Sequence, residues 1–334
     1  MRPVYLTLAL SALAVLAFFV ARMTGGRWHR RVVRYVAVGL LSRRYVAWLP
    51  IPRRQKAAVP VVFAFHGERN TLEQMEAQTA LHTARAATNL AIVYPEGYHM
   101  TWNAGGCCGD AMQAAIDDVR YVRRILDDLE SVIKIDRRRI YATGFANGAM
   151  LCYHLACTMP DEIAAIAPVG GGMFATACTP RRPVAIFHLH GDADEWAPYH
   201  GSGEGGPRPL PPVEDGIAFW RGVNGAHVEA RERLFGDRGD CTIYSGGAAD
   251  APVRVCLIAG LGHHWPGGAM TRGRGADAAM SDPLDPAIDR DDVNAAILGF
   301  FAGYALPERS PRRISLDLGA APHQPRPRRR AAGN

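Results

Sequence analysis

Short β-rich apolar runs alternate with segments of helical periodicity from about residue 43 to 304, the pattern of an open, mostly parallel sheet with helices on both faces. Runs rich in Val, Ile, Tyr and Phe predict strands at 45–49, 61–65, 90–94, 139–143, 163–169, 184–190 and 253–258. Between residues 112 and 132, Ile116, Val119, Val122, Ile125, Leu126 and Leu129 recur at helical spacing opposite Asp117, Arg124 and Asp128, which predicts one continuous helix with a core-facing stripe. Residues 200–213, rich in Gly and Pro, read as a loop over the C-terminal edge of the sheet. There is no internal repeat. At 334 residues and 48% apolar, the chain can bury one large core, and the body reads as a single α/β domain over residues 43–306.

The two ends differ from this body. Residues 4–21 form an unbroken uncharged, mostly apolar run, about 27 Å long as a helix and so close to the thickness of a bilayer core. Residues 1–26 therefore read as an export signal or a membrane anchor. Residues 27–42 read as a basic linker, and residues 307–334, rich in Pro and Arg, as a disordered tail. The first 54 residues hold ten Arg and no acid, and the tail holds seven Arg against Glu308 and Asp317. Subtracting +10 and +5 from the formal +6 leaves about −9 for the middle of the chain, which argues against a nucleic-acid-binding body.

Seven cysteines, several beside Gly turns and helix ends, point to an oxidising compartment and hence to a secreted, periplasmic or membrane-anchored protein at the cell envelope. Cys157 at a helix end and Cys178 before the next strand bracket one strand and are the first expected disulfide. The vicinal Cys107 and Cys108 cannot easily bond each other without strain, so one of them is expected to reach Cys152 or another cysteine of the body.

Candidate chemistry concentrates where a strand ends in Thr143 and Gly144, turns through Phe145, Ala146 and Asn147, and re-enters a helix at Gly148. This is the shape of a nucleophile elbow, G-x-S-x-G, in which small flanking residues allow a sharp turn that thrusts the middle side chain into a site. Here the middle residue is alanine. Around it, the run from Phe65 to Gly67, the loop from Trp102 to Gly109 with its cysteine pair, Asp117–Asp118–Val119, the stretch from His190 to Asp194 with Pro198 and Tyr199, and Gly262 to Gly268 follow in order. Together they resemble the secreted polyhydroxybutyrate depolymerase and feruloyl esterase type of α/β-hydrolase over roughly residues 40–304.

That resemblance implies the α/β-hydrolase fold, no cofactor, and a small-molecule or polymeric ester as partner. It implies Asp194 as the acid that orients the imidazole, His263 as general base, and the backbone N–H groups of Glu68 and Asn147 as an oxyanion hole. It also leaves Cys241 as the expected free thiol, because Ala226 stands where the family often has a cysteine. Ala146 has no lone pair and no proton to surrender, so no acyl-enzyme can form there. The expectation is substrate binding with weak or no turnover. The alternatives are an active serine esterase of which this chain is a Ser→Ala copy, and a non-catalytic ester- or polymer-binding protein at the cell envelope. Neither Thr143, whose hydroxyl is expected in the helix-sheet packing, nor Cys152, well along the next helix, is expected to substitute.

Trp102, Trp196 and Trp265 fall on loops near this site and predict an aromatic-lined substrate groove. His188, His190 and Asp192 form an H-x-H-x-D string, but no further ligand cluster accompanies it, and no metal site is expected. His66 is expected to brace its turn, and His264 to be an exposed neighbour of the base. Asp117 and Asp118 are expected as helix charges, since adjacent helical residues diverge by about 100°.

Overall fold

The computed structural model describes residues 29–51, 57–174, 177–203, 209–268 and 288–308. Its strands are β1 (His29–Val38), β2 (Leu41–Pro50), β3 (Val59–Phe65), β4 (Ala91–Pro95), β5 (Ile135–Phe145), β6 (Ala165–Val169), β7 (Ala185–Gly191), β8 (Val228–Leu234), β9 (Gly239–Ser245) and β10 (Val253–Ile258). They form one sheet in the order β1-β2-β4-β3-β5-β6-β7-β10-β9-β8. The central pairings from β4 through β3, β5, β6 and β7 to β10 are parallel, and both edges are antiparallel.

Each central strand is buried on both faces, as parallel strands between helical layers must be. On one face Val61, Phe63 and Phe65 pack with α3 (Asp118–Glu130), α4 (Asn147–Thr158) and α5 (Val213–Asn224). On the other, Val62 and Ala64 pack with α1 (Leu72–Thr79) and α6 (Arg290–Ala302). The short α2 (Gly109–Gln113) lies in the loop between β4 and α3.

All seven predicted strands form, with ends shifted by a few residues. The continuous helix over 112–132 does not. It breaks between α2 and α3, where Ala115 takes φ 48° and Asp117 caps α3 by accepting the Arg120 N–H at 2.7 Å. The apolar spacing continues across the break, so periodicity could not reveal it.

The expected basic linker is also corrected. Residues 29–42 are not a linker, because β1 and β2 pair residue for residue from His29↔Pro50 to Val38↔Leu41. Their inward arginines are neutralised: Arg34 Nε donates to Asp128 at 2.5 Å, and Arg43 Nη1 donates to Asp118 at 2.6 Å. The domain therefore includes residues 29–42. Of the expected tail only Pro307 and Glu308 are described, and residues 1–26 lie outside the described residues. Among the described residues no helix is long and apolar enough to cross a membrane.

Cys157 and Cys178 form a disulfide. Two other cysteine expectations are corrected. Cys107 and Cys108 are bonded to each other. Cys108 Sγ lies 3.7 Å from Met150 Sδ, whereas Cys152, two residues further along α4, is turned about 200° away and is the free, buried cysteine. Cys241 bonds Cys256, its direct partner across β9 and β10, with 4.0 Å between the Cα atoms.

Candidate active site

The loops that leave the C-terminal ends of β3, β5, β7 and β10 converge on one edge of the sheet. At the end of β5 the backbone of Ala146 takes φ 51°, ψ −115°, a conformation that an L-residue adopts only when its surroundings enforce it. The flanking glycines are required by space. A Cβ on Gly144 would stand 2.5 Å from the Gly148 carbonyl oxygen, and one on Gly148 would stand 2.3 Å from that of Phe65. A Cβ on Gly171 would stand equally close, 2.3 Å, to the Ala146 carbonyl oxygen. The Ala146 N–H donates to Val169 O at 3.0 Å, and the Ala146 carbonyl accepts the first turn of α4 from Met150 at 3.1 Å.

Opposite this apex lies the turn after β3. A Cβ on Gly67 would stand 3.4 Å from the Ala146 methyl and 3.2 Å from the Phe145 ring, so Gly67 and Glu68 pass directly beside the apex. His66 holds that turn: its Nδ1–H donates to Gly67 O at 2.7 Å, and its Nε2 accepts the Gly97 N–H at 2.9 Å. Complete burial pushes its pKa down to about 4, so the ring is neutral and this pattern of donor and acceptor is fixed.

From the β7 end, Asp194 turns back into the protein. Its Oδ1 accepts the N–H groups of Trp196 at 3.0 Å and Ala197 at 2.8 Å, and its Oδ2 lies 2.7 Å from His263 Nδ1. The carboxylate is fully buried and the imidazole nearly so. Phe145 joins the parts: its ring lies 4.7 Å from that of His263 and beside Gly67, and a Cβ on Gly170 would touch both Phe145 and, at 3.8 Å, Asp194 Oδ2. From the sequence Phe145 has no role beyond the turn, yet it is the apolar floor on which the imidazole rests.

The loop from Trp102 is clamped to the apex by Asn147, whose Oδ1 accepts the Trp102 N–H at 2.7 Å and whose Nδ2 donates to Trp102 O at 3.1 Å. The same loop is held from behind by Asp118, which accepts the Asn103 N–H at 2.8 Å and pairs with Arg43. The Arg43 guanidinium lies over the Tyr121 ring at 3.8 Å. Asp118 is thus a buried ion-pair partner rather than a solvated helix charge; the neighbouring cap, Asp117, is exposed. Only the pairing with Arg43, on a strand distant in sequence, could have signalled it.

No family model matches the chain. Among curated proteins, it is 29% identical over 229 residues to "Putative esterase NocK" of Nocardia uniformis subsp. tsuyamanensis, covering 63% of this chain and 67% of that protein. It is 28% identical over 247 residues to Feruloyl esterase B of Piromyces equi, covering 68% of this chain and 44% of that enzyme, so it spans less than half of the Piromyces protein. Among solved structures, the acetyl xylan esterase from Aspergillus awamori aligns with a TM-score of 0.54 at 14% identity over 80% of this chain and 99% of that one. The feruloyl esterase module from Clostridium thermocellum, a serine-to-alanine mutant complexed with sinapinate, aligns with a TM-score of 0.50 at 13% identity over 72% of this chain and 84% of that one. The chain has the α/β-hydrolase fold. Its relatives named here are esterases of carboxylic acids.

Within this α/β-hydrolase the expected aromatic groove is corrected. Trp102 and Trp265 are fully buried. Trp102 packs edge-on against Phe65 and donates Nε1–H to His66 O at 2.8 Å, so its bulk builds the scaffold under the site rather than its wall. Trp265 belongs to the core on the α6 face. Only Trp196, 63% exposed, remains at the surface. The apolar lining comes instead from Met150, Gly172 and Phe174 beside the acid loop. Phe174, Leu210 and Phe219 continue it into an open cleft of about 660 Å³. His264 is half-buried rather than exposed.

The H-x-H-x-D string is engaged elsewhere. His188 and His190 bond each other at 3.0 Å, and Asp192 accepts the Gly260 N–H at 2.6 Å. Thr143 donates its hydroxyl to Ala167 O at 2.6 Å, inside the sheet. Burial holds the Cys152 thiol well above its ordinary pKa.

Proposed function

We propose that this protein binds carboxylic esters in an esterase-type site whose nucleophile position is held by Ala146, and that it turns them over weakly or not at all. Asp194 orients His263 and would stabilise its imidazolium, and the N–H groups of Glu68 and Asn147 would serve as the oxyanion hole. The carbonyl carbon of an ester would lie over the Ala146 methyl, with no oxygen there to attack it. The observation that carries this reading is the apex itself. Ala146 takes the strained φ of 51° that serves to present a nucleophile, its neighbour Phe145 lies against His263, and His263 forms an intact 2.7 Å pair with Asp194, although the Ala146 methyl cannot use either. The apolar cleft beside Phe174 suits the acyl or aryl part of such an ester. Three disulfides support an oxidising, envelope or extracellular location.

A chromogenic short-chain aryl ester tests this. The Ala146→Ser protein should hydrolyse it at least about 10²-fold faster than the Ala146 chain, since a complete triad adds orders of magnitude to what the oxyanion hole and binding supply alone. Equal rates in both proteins would refute the role of the elbow.

A further inference from the structure

Behind the acid loop runs a chain of buried titratable groups that the ester chemistry does not use. The Tyr153 hydroxyl lies 3.0 Å from His188 Nδ1, His188 Nε2 lies 3.0 Å from His190 Nδ1, and His190 Nε2 lies 2.7 Å from Ala197 O. Tyr153, His188 and His190 are all essentially without solvent contact.

The direction of every bond in this chain follows from its last member. A carbonyl oxygen only accepts, so the proton of His190 is on Nε2. A neutral ring then has a bare Nδ1, which must receive its hydrogen from His188 Nε2. That leaves His188 Nδ1 bare in turn, and the tyrosine hydroxyl donates to it. Burial lowers the pKa of both imidazoles, more than Asp194 and the Ala197 carbonyl raise that of His190, so neither takes up the second proton that would break the sequence.

Ala197 connects this chain to the site. Its N–H donates to Asp194 Oδ1 at 2.8 Å, while its carbonyl is held by His190 from the other side. His190 Nε2 also stands 3.6 Å from Asp194 Oδ2, the oxygen that binds His263. That is too long for a hydrogen bond but close enough for the sign of the charge to matter. The alternative tautomer would place a bare nitrogen against both the Ala197 carbonyl and the Asp194 carboxylate, three acceptors with no proton between them.

We propose that His190 is a positioning residue for the Asp194–His263 pair, and that His188 and Tyr153 act through it by fixing its tautomer. His190 touches no substrate; it holds the peptide that holds the carboxylate. The inference rests on the proposed roles of Asp194 and His263, and one of its readouts needs no turnover.

That readout is the far-downfield proton NMR signal of the His263 Nδ1–H in the Ala146 protein. His190→Phe should shift this signal upfield and speed its exchange with water. His190→Gln, which can still donate to the Ala197 carbonyl, should largely preserve it. In the Ala146→Ser background, His190→Phe should lower kcat by about 10²-fold with KM little changed, the loss expected of a displaced catalytic group, and His190→Gln should recover most of it. An unchanged His263 signal in a folded His190→Phe protein, or equal losses in the Phe and Gln variants, would overturn the inference. If His190→Phe does not fold, Tyr153→Phe removes a single hydroxyl from the far end of the chain. Its His263 signal must move in the same direction, and an unmoved signal overturns the inference equally. An Ala146→Ser protein without esterase activity would instead remove the proposed function and leave the NMR result standing.

Discussion

At the scale of residues, the site is a set of backbone constraints that happen to be readable as letters. Gly144 and Gly148 were legible in the sequence because no side chain fits where other chain segments cross them, whereas Asp194 and His263 were reached only through the resemblance of their loops to the esterase family. Trp102 and Trp265 were misread as groove residues, because an aromatic on a loop looks the same whether the loop faces water or folds under the sheet. The steric reading has a direct test. Gly148→Ala places a methyl 2.3 Å from the Phe65 carbonyl and should destabilise the protein by about 1–3 kcal/mol, as overpacking does. In the Ala146→Ser background it should also depress esterase activity by tilting the start of α4. Urea unfolding and the same ester assay would measure both effects.

At the scale of elements, the β1–β2 hairpin changes the account most. Residues 27–42 read as a basic linker, yet β1 pairs with β2, and Arg43 of β2 pairs with Asp118 and so fixes the Trp102 loop that Asn147 holds from the apex side. Removing one partner of a buried pair leaves the other charge without compensation. Arg43→Met should therefore cost about 3–5 kcal/mol of stability, whereas the double change Arg43→Met with Asp118→Leu should recover much of it. Equal losses in the single and double variants, measured by denaturant unfolding, would show that the pair is not the source of the effect. The strand β8 was missed because it is largely exposed and four of its seven residues, Glu229, Arg231, Glu232 and Arg233, are charged, which leaves no run of β-rich apolar residues to register.

At the scale of the whole molecule, two properties follow from burial and cross-linking. All seven cysteines lie within the described residues, and six are paired. Thiol titration of the unfolded, unreduced protein should give one reactive group per chain, and none before unfolding. Buried imidazoles also set the acid limit of the fold. The unfolded chain binds protons near the ordinary imidazole value of 6.5, whereas His66 resists down to about 4. Between these values the unfolded state holds the extra proton, so stability is full above 6.5 and falls as the pH drops, by up to about 1.4 kcal/mol per pH unit for this one residue. His188 and His190 act in the same direction, and a urea midpoint lower at pH 4.5 than at pH 7 would confirm the sign. The sequence by itself determined the parallel sheet and the tight small-residue turn centred on Ala146, because strand burial and tight turns leave local marks in composition and spacing. Only the tertiary structure decided that the first hairpin belongs to the domain, which cysteines pair, which tryptophans are hidden, and that three buried side chains stand behind the acid. Each of those depends on which residues far apart in the chain come to share a low-dielectric interior, and no local pattern encodes that.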